Sequence, residues 1–98
     1  MKIRLVDGTE IFIDKIEEYY RRGSQKGYVD INFKNSFTIS QLLELFASEN
    51  IMTIVIIDDN NNEILLTGYN TIFDLRIEYN KETFSQNRIL VVLTTSED

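Results

Sequence analysis

The residues best equipped for chemistry lie between Asp58 and Asn62, where oxygen-bearing side chains follow one another closely. Asp58, Asn60 and Asn62 have the spacing that begins a calcium-binding EF-hand loop, whose carboxylate and amide oxygens suit a hard cation. The rest of that loop is missing, because Glu63 stands where glycine is required and Tyr69 where a bidentate glutamate is required. Asp and Asn also favour tight turns. We therefore predict a solvated hairpin turn that binds no metal.

A second candidate is the run Tyr19-Tyr20-Arg21-Arg22, which places aromatic rings beside guanidinium groups. Single-stranded nucleic acid could stack on such rings. The two glutamates that precede the run offset its charge, and on a helical turn they would form i,i+4 ion pairs with the two arginines. Tyr and Arg are also enriched in the hot spots of protein interfaces. If the run is functional, we expect it to contact a protein rather than a nucleic acid.

The composition excludes several kinds of active site. The chain has no cysteine and no histidine, so it lacks the thiolate and imidazole ligands of a zinc site, a Cys nucleophile and a Ser-His-Asp triad. Its four glycines form no phosphate-binding loop. Among its sixteen carboxylates, Asp74 and Glu78 share one face of a predicted strand, which a solvated surface explains. We predict a protein that is not an enzyme and that needs no cofactor.

The length and the charge describe an acidic protein of modest size. We expect the 98 residues to form a single domain, residues 1–98. Residues 1–34 carry seven basic and six acidic groups, whereas residues 35–98 carry three basic and ten acidic groups. This acidic part repels nucleic acid and favours a basic protein as partner. We expect no membrane association, because apolar runs such as Ile54–Ile57 are far shorter than a membrane span, and no secretory signal is visible.

The hydrophobic pattern predicts strands at both ends of the chain and one helix between them. Alternation on both sides of Asp7-Gly8 predicts a hairpin, and the strict alternation of residues 28–34 predicts a half-buried strand. Residues 15–27 are interpreted as a short helical turn or a mobile loop. A capping box at Thr38 and Gln41 begins a helix over about residues 38–49. Its apolar stripe is predicted to be Ile39, Leu42, Leu43 and Phe46, with Leu45 outside it.

Four more strands complete the prediction. Residues 52–57 and 64–66 form a second hairpin around the Asp-Asn turn, residues 72–79 alternate as a strand, and residues 88–95 form a strand that is buried on both faces. The predicted fold class is α+β: a mostly antiparallel, strongly curled sheet of about six or seven strands with the helix packed on one face. One helix cannot cover both faces of such a sheet, so part of the sheet is expected to curl or to meet another chain.

Five short motifs in this order resemble small proteins encoded near the tail and baseplate genes of tailed phages and prophages of low-GC Gram-positive bacteria. The motifs are Ile3-Arg4-Leu5-Val6-Asp7-Gly8-Thr9-Glu10, Val29-Asp30-Ile31-Asn32-Phe33, Thr38-Ile39-Ser40-Gln41-Leu42-Leu43-Glu44-Leu45-Phe46, Gly68-Tyr69-Asn70-Thr71-Ile72 and Arg88-Ile89-Leu90-Val91-Val92-Leu93. The resemblance implies a phage-encoded protein without enzymatic activity, located in the virion or in the cytoplasm of the infected bacterium. It supplies no functional residues.

Two functions follow as hypotheses. In the first, the protein is a small virion or tail-associated component whose sheet meets neighbouring copies or other virion proteins, so that it could be a homo-oligomer. In the second, it is an acidic inhibitor of the anti-CRISPR kind that occupies the basic channel of a host nucleic-acid-binding defence protein. The residues that we expect to contact the partner are Tyr19, Tyr20, Arg21, Arg22, Asp58, Asp59, Glu63, Asp74 and Glu78.

Overall fold

The structure, a computed structural model, describes residues 1–20, 27–34, 37–83 and 86–95, with residues 86 and 87 described by their backbone alone. Eight strands, one α-helix and one 3₁₀ helix make up this part of the chain. In chain order they are β1 (Lys2–Arg4), β2 (Glu10–Phe12), β3 (Lys15–Tyr20), β4 (Gly27–Phe33), α1 (Ile39–Leu45), the 3₁₀ helix (Ser48–Asn50), β5 (Thr53–Ile57), β6 (Glu63–Thr67), β7 (Thr71–Tyr79) and β8 (Gln86–Thr94).

The strands form two antiparallel sheets of four strands each. Sheet A has the order β2-β1-β5-β6, and sheet B has the order β3-β4-β8-β7. The predicted α+β class with a mostly antiparallel sheet is confirmed, but the single strongly curled sheet is wrong. The pairs β1–β5 and β4–β8 join segments that are far apart in the chain, and these non-local pairs divide the strands between two sheets.

One hydrophobic cluster joins the inner faces of both sheets to the helix. Its fully buried side chains include Ile3 and Ile54 of sheet A, Ile31 and Val91 of sheet B, and Phe46 after α1. Burying side chains of this size stabilises a fold by about 1.5 to 3 kcal/mol each. The inward residues alternate with outward ones along each strand, so each sheet presents its other face to the surroundings.

Both predicted hairpins are present. In the first, β1 pairs with β2 and Gly8 adopts a φ of +90° in the connecting turn. In the second, β5 pairs with β6, and the left-handed conformation falls on Asn61, with a φ of 64°. Asparagine tolerates this region better than other residues that bear a Cβ atom. The Asp-Asn segment thus makes the turn that its composition predicts.

The helix begins as predicted but ends early. The Thr38 hydroxyl accepts from the Gln41 N–H and the Gln41 side chain accepts from the Thr38 N–H, which is the capping box. The α-helix ends at Leu45 instead of continuing to residue 49, and a 3₁₀ turn follows. Its buried side also differs from the predicted stripe: Leu45 packs against the core, whereas Ile39 and Leu43 are 55% and 53% exposed. The buried side of the helix therefore carries Leu42 and Leu45, and it continues into Phe46, which is 1% exposed.

The segment after Asp14 is a strand and not a helical turn. Residues Lys15–Tyr20 form β3, which pairs with β4 along its whole length. The predicted helical turn is therefore wrong for Glu17 and Glu18, while Arg21 and Arg22, their predicted ion-pair partners, lie outside the described residues. The Glu17 carboxylate lies 3.9 Å from the Lys15 ammonium. The segment lacks alternation because it is an edge strand with little of either face buried.

Candidate functional site: the outer face of sheet B

The surface that combines the most chemically useful side chains is the outer face of sheet B. In β4, Val29, Ile31 and Phe33 point into the core, so Tyr28 and Asp30 between them point outward. The registers of the three strand pairs extend this assignment to the whole sheet. Successive cross-strand rows on the outer face can therefore be read directly from the pairing.

One of these rows carries three carboxylates, which we call the acidic row: Glu17, Asp30 and Asp74. Glu17 of β3 is directly opposite Asp30 of β4, Asp30 is opposite Val92 of β8, and Val92 is opposite Asp74 of β7. With neighbouring strands about 4.8 Å apart, the row spans about 14 Å. Like charges directly opposite each other on adjacent strands destabilise a sheet. The repulsion between Glu17 and Asp30 therefore lowers the stability of the folded sheet.

Val92 lies between the carboxylates and is almost completely covered. It points outward, yet it is only 4% exposed and does not belong to the core cluster. Its neighbours on the outer face therefore provide its cover, which requires that they pack together over β8. Asp30 and Asp74 are therefore separated by a covered valine side chain and not by solvent.

Three aromatic rings lie beside the acidic row, and we call them the aromatic row: Tyr19, Tyr28 and Phe73. Tyr19 stacks on Tyr28 with ring centroids 5.7 Å apart, and Tyr28 meets Phe73 edge to face at 5.1 Å. Phe73 is the extra residue of a β-bulge in β7, which turns its ring toward Tyr28. The Tyr19 hydroxyl donates to Asp30 at 2.9 Å, linking the two rows. Ring faces of this kind attract cations.

Cations of the protein lie at the ends of the acidic row. Lys15 is 3.9 Å from Glu17, and Arg76 is 2.8 Å from Asp74. A third pair joins Arg88 to Glu78 at 2.8 Å, further along β7. These pairs are solvent-exposed, and exposed ion pairs contribute roughly 0 to 1 kcal/mol. A cationic group of a partner could therefore compete with them for the carboxylates.

A buried contact fixes one end of this face. Tyr69, which is 7% exposed, donates its hydroxyl to the Glu18 carboxylate and lies against Gly27. A Cβ atom at Gly27 would lie 2.6 Å from the Tyr69 hydroxyl oxygen, so a larger residue at this position would have to displace the Tyr69 side chain. Burial, followed by the bond to Glu18, raises the pKa of Tyr69 to about 12. The Thr94 hydroxyl donates to the Gly27 carbonyl at 2.9 Å, which ties β8 to the same point.

The acidic residues predicted to contact a partner fall on two different sheets. Asp74 and Glu78 lie on the outer face of sheet B, whereas Asp58, Asp59 and Glu63 belong to the β5–β6 hairpin of sheet A. Each of those three already has a partner within the protein. Asp58 accepts from the Asn60 and Asn62 N–H groups, and the Asn62 bond is the main cause that lowers the pKa of Asp58. Asp59 meets the N-terminal ammonium at 2.7 Å, and Glu63 lies 3.7 Å from Arg4.

The predicted aromatic and basic run is divided by the structure. Tyr19 belongs to the aromatic row, and Tyr20 points to the opposite side of β3, where its side chain is 71% exposed. Arg21 and Arg22 lie outside the described residues. Of the predicted contact residues, the outer face of sheet B therefore brings together Tyr19, Asp74 and Glu78.

Sequence reasoning missed the central members of the face: Glu17, Tyr28, Asp30, Phe73 and Val92. A usable signal was present. Tyr28 and Asp30 alternate with apolar residues, and Glu17 and Tyr19 have the same spacing in the preceding segment. Pairing these segments as a hairpin would have placed carboxylate opposite carboxylate and ring opposite ring. The helical interpretation of residues 15–27 concealed it.

Within the described residues, no three Asp, Glu, His or Cys side chains are grouped closely enough to hold a metal ion, and this includes the acidic row. No helix in the same part of the chain is long and apolar enough to cross a membrane. Comparisons with family models, curated proteins and solved structures found no match for this chain.

Proposed function

We propose that this is a non-enzymatic protein that binds an arginine-rich or lysine-rich segment of another protein through the outer face of sheet B. The observation that carries the proposal is the direct opposition of Glu17 and Asp30 on neighbouring strands. Like charges in that position work against folding. A cationic partner removes the repulsion, so the arrangement is favourable in a complex although it is unfavourable in the isolated chain.

The two rows recognise complementary parts of one cationic side chain. The carboxylates attract the charge, and a guanidinium can form paired hydrogen bonds to a carboxylate. The ring of Phe73, 48% exposed, offers an apolar surface to the aliphatic stem and a face for cation–π contact. Tyr19 supplies a second ring and holds Asp30 through its hydroxyl. Such a face prefers arginine to lysine, because the planar guanidinium both stacks and binds in two places.

The resemblance to phage tail-region proteins suggests two settings for this binding. As a virion or tail-associated component, the protein would bind a basic segment of a neighbouring virion protein. As an acidic inhibitor of the anti-CRISPR kind, it would bind the basic nucleic-acid channel of a host defence protein. The acidic row favours the second setting specifically, because a line of carboxylates about 14 Å long imitates the spaced charges of a phosphate backbone.

Titration with a defined peptide tests the proposed surface. A short peptide of alternating arginine and glycine is added to the ¹⁵N-labelled protein, and amide shifts are followed by NMR. We expect the shifts to concentrate on β3, β4, β7 and β8, and the affinity to fall with rising salt. The same peptide with neutral citrulline in place of arginine should not bind.

Neutralising the acidic row gives the decisive variant. Glu17→Gln, Asp30→Asn and Asp74→Asn together should weaken binding at least about tenfold, since three exposed charge contacts of roughly 0.5 kcal/mol each sum to about 1.5 kcal/mol and about 1.4 kcal/mol corresponds to a factor of ten. The matched control is Glu44→Gln, Glu49→Gln and Glu82→Gln, which gives the same net charge from carboxylates outside this face. Equal affinities of the two triple variants would refute the proposed surface.

A separate measurement distinguishes the two settings. Mass spectrometry of purified virions should detect the protein if it is a virion component and should not if it is an inhibitor. For the inhibitor, the purified protein should compete with nucleic acid for the host defence protein, and the acidic-row variant should compete less well than its control. Presence in virions together with absence of competition would contradict the inhibitor.

A further inference from the structure

We infer that strand β7 pairs with β7 of a second copy of this chain, forming a symmetric dimer with one continuous eight-stranded sheet. This inference is independent of the basic partner proposed above. β7 is the longest exposed edge of the described sheets: it has nine residues, pairs with β8 on one side, and ends sheet B on the other. A strand of this length presents roughly 30 Å of unpaired backbone.

The charges along β7 favour its own sequence as partner. Asp74, Arg76 and Glu78 alternate on the outer face. When two copies pair antiparallel about Ile77, Arg76 of each copy lies opposite Glu78 of the other, and this happens twice. A shift that centres the pair on Arg76 opposes Arg76 to itself and Asp74 to Glu78, which is repulsive. Charged residues on an edge strand usually prevent it from pairing with other strands. Here the alternation of acidic and basic residues favours pairing with a second copy of β7.

A second register, centred on Leu75, also opposes unlike charges, and the bulge excludes it. Phe73 is the extra residue of the bulge between Ile72 and Asp74, whereas at the second register shift, between Glu78 and Tyr79, the extra residue is Asn87 of β8. Pairing about Leu75 would place the bulge of each copy against Ile77 of the other. Pairing about Ile77 uses residues 75–79 of both copies, and none of these is an extra residue of β7.

The backbone of the edge fits the same register. The Leu75 N–H donates to the Asp74 carboxylate at 2.9 Å. An N–H group on the open edge of a sheet has no strand to donate to, so this side-chain bond indicates that the Leu75 N–H lies on the open edge. N–H and C=O groups of alternate residues point to the same side of a strand, which places those of Ile77 on the open edge as well. Two copies centred on Ile77 would therefore exchange two backbone hydrogen bonds at the symmetry axis.

The apolar side chains of the edge would gain cover. Leu75 and Ile77 pack against the core but remain half-exposed, and Tyr79 is 54% exposed. In the Ile77-centred register, Leu75 of each copy lies opposite Tyr79 of the other, and the two Ile77 side chains meet. The dimer would also place two acidic rows on one continuous face, so that a basic partner could be bound twice.

Sedimentation equilibrium from micromolar to millimolar concentration tests the dimer. Arg76→Glu alone and Glu78→Arg alone should each raise the dimer dissociation constant at least about tenfold, whereas the double variant should return to within about threefold of the original, because the opposed charges are only exchanged. Lys15→Glu on the opposite edge of sheet B is the control with the same net charge as Arg76→Glu, and it should leave the constant unchanged.

Cross-linking tests the register, since the chain has no cysteine of its own. Ile77→Cys should form a disulfide-linked dimer under mild oxidation, and Leu75→Cys should do so much more slowly. Amide exchange of β7 in the unmodified protein should also slow as concentration rises. A monomer throughout the concentration range, a dimer indifferent to the charge reversals, or faster cross-linking through Leu75→Cys would overturn the inference.

Discussion

The outer faces of the two sheets are built from similar residues arranged in opposite ways. On sheet A, unlike charges face each other: Glu10 of β2 is directly opposite Arg4 of β1, and its carboxylate accepts from Lys2 at 2.9 Å and from Arg4 at 3.2 Å. Arg4 in turn lies 3.7 Å from Glu63 of β6. The bonds from Lys2 and then Arg4 hold the pKa of Glu10 below its usual value.

On sheet B, the corresponding positions oppose carboxylate to carboxylate. Glu17 faces Asp30, and the nearest cations are at the ends of the row. The sheet A pattern contributes to folding, since cross-strand pairs of unlike charge are favourable, whereas the sheet B pattern costs stability. A surface arrangement that lowers the stability of the fold is typical of a binding site. The contrast therefore separates a supporting face from a recognition face.

Among the variants that compare the two sheets, Gly27→Ala is expected to lower stability most. The added methyl group would displace the buried Tyr69 ring and break its bond to Glu18, lowering the free energy of unfolding by about 2 kcal/mol. NMR shifts should change across sheet B and little across sheet A. Chemical denaturation measures the loss, and a loss below about 0.5 kcal/mol would contradict the role assigned to this contact.

Two further variants isolate the cause. Gly8→Ala in the sheet A hairpin meets no neighbouring atom but requires an unfavourable φ, so about 1 kcal/mol is expected from backbone strain alone. Tyr69→Phe removes the hydroxyl that collides with the new methyl group. Gly27→Ala should therefore cost less in the Tyr69→Phe background, which a double-mutant cycle measures.

The sequence predicts those parts of the fold whose signals are local. Alternation of Val29, Ile31 and Phe33 predicts β4, and the capping box predicts where α1 begins. The Asp-Asn segment predicts its turn because each of its side chains can bond to the backbone beside it. In each case the residues that determine the structure are neighbours in the chain.

The division into two sheets and the recognition face depend on non-local pairing. β3 has no apolar alternation of its own and becomes a strand because β4 lies beside it. Asp30 becomes part of the acidic row only through Glu17 on one side and, across Val92, Asp74 on the other. A single sequence shows the charges, but it does not show which of them share a row.

Truncation of one valine on each outer face compares how the faces are packed. Val92 on sheet B is 4% exposed, and Val55 on sheet A is half-exposed. Val92→Ala removes two methyl groups from a covered position and should lower the free energy of unfolding by about 1.5 kcal/mol, and Val55→Ala by about half as much. Thermal and urea denaturation give both values. Equal losses would mean that the carboxylates and rings of sheet B do not pack over Val92.

The smallest expected effects come from neutralising one carboxylate on each face. Glu10→Gln should lower stability slightly, less than Val55→Ala, because Lys2 and Arg4 lose their shared acceptor. Asp30→Asn should leave stability unchanged or raise it, because it removes the charge opposite Glu17 while the amide oxygen still accepts from Tyr19. The same Asp30→Asn protein should bind the arginine peptide more weakly, and Glu10→Gln should bind it normally.

The pH dependence of stability tests whether Glu10 acts through its charge. The pKa of Glu10 is lower in the folded protein than its ordinary value of 4.5, so its contribution to stability is present above that value and is lost as the pH falls through the folded pKa. The deficit of Glu10→Gln relative to the unmodified protein should therefore shrink in acid and vanish once Glu10 itself is protonated. A deficit that persists at the lowest pH would show that Glu10 acts through packing, and the charge contrast between the two faces would then lose its energetic basis on sheet A.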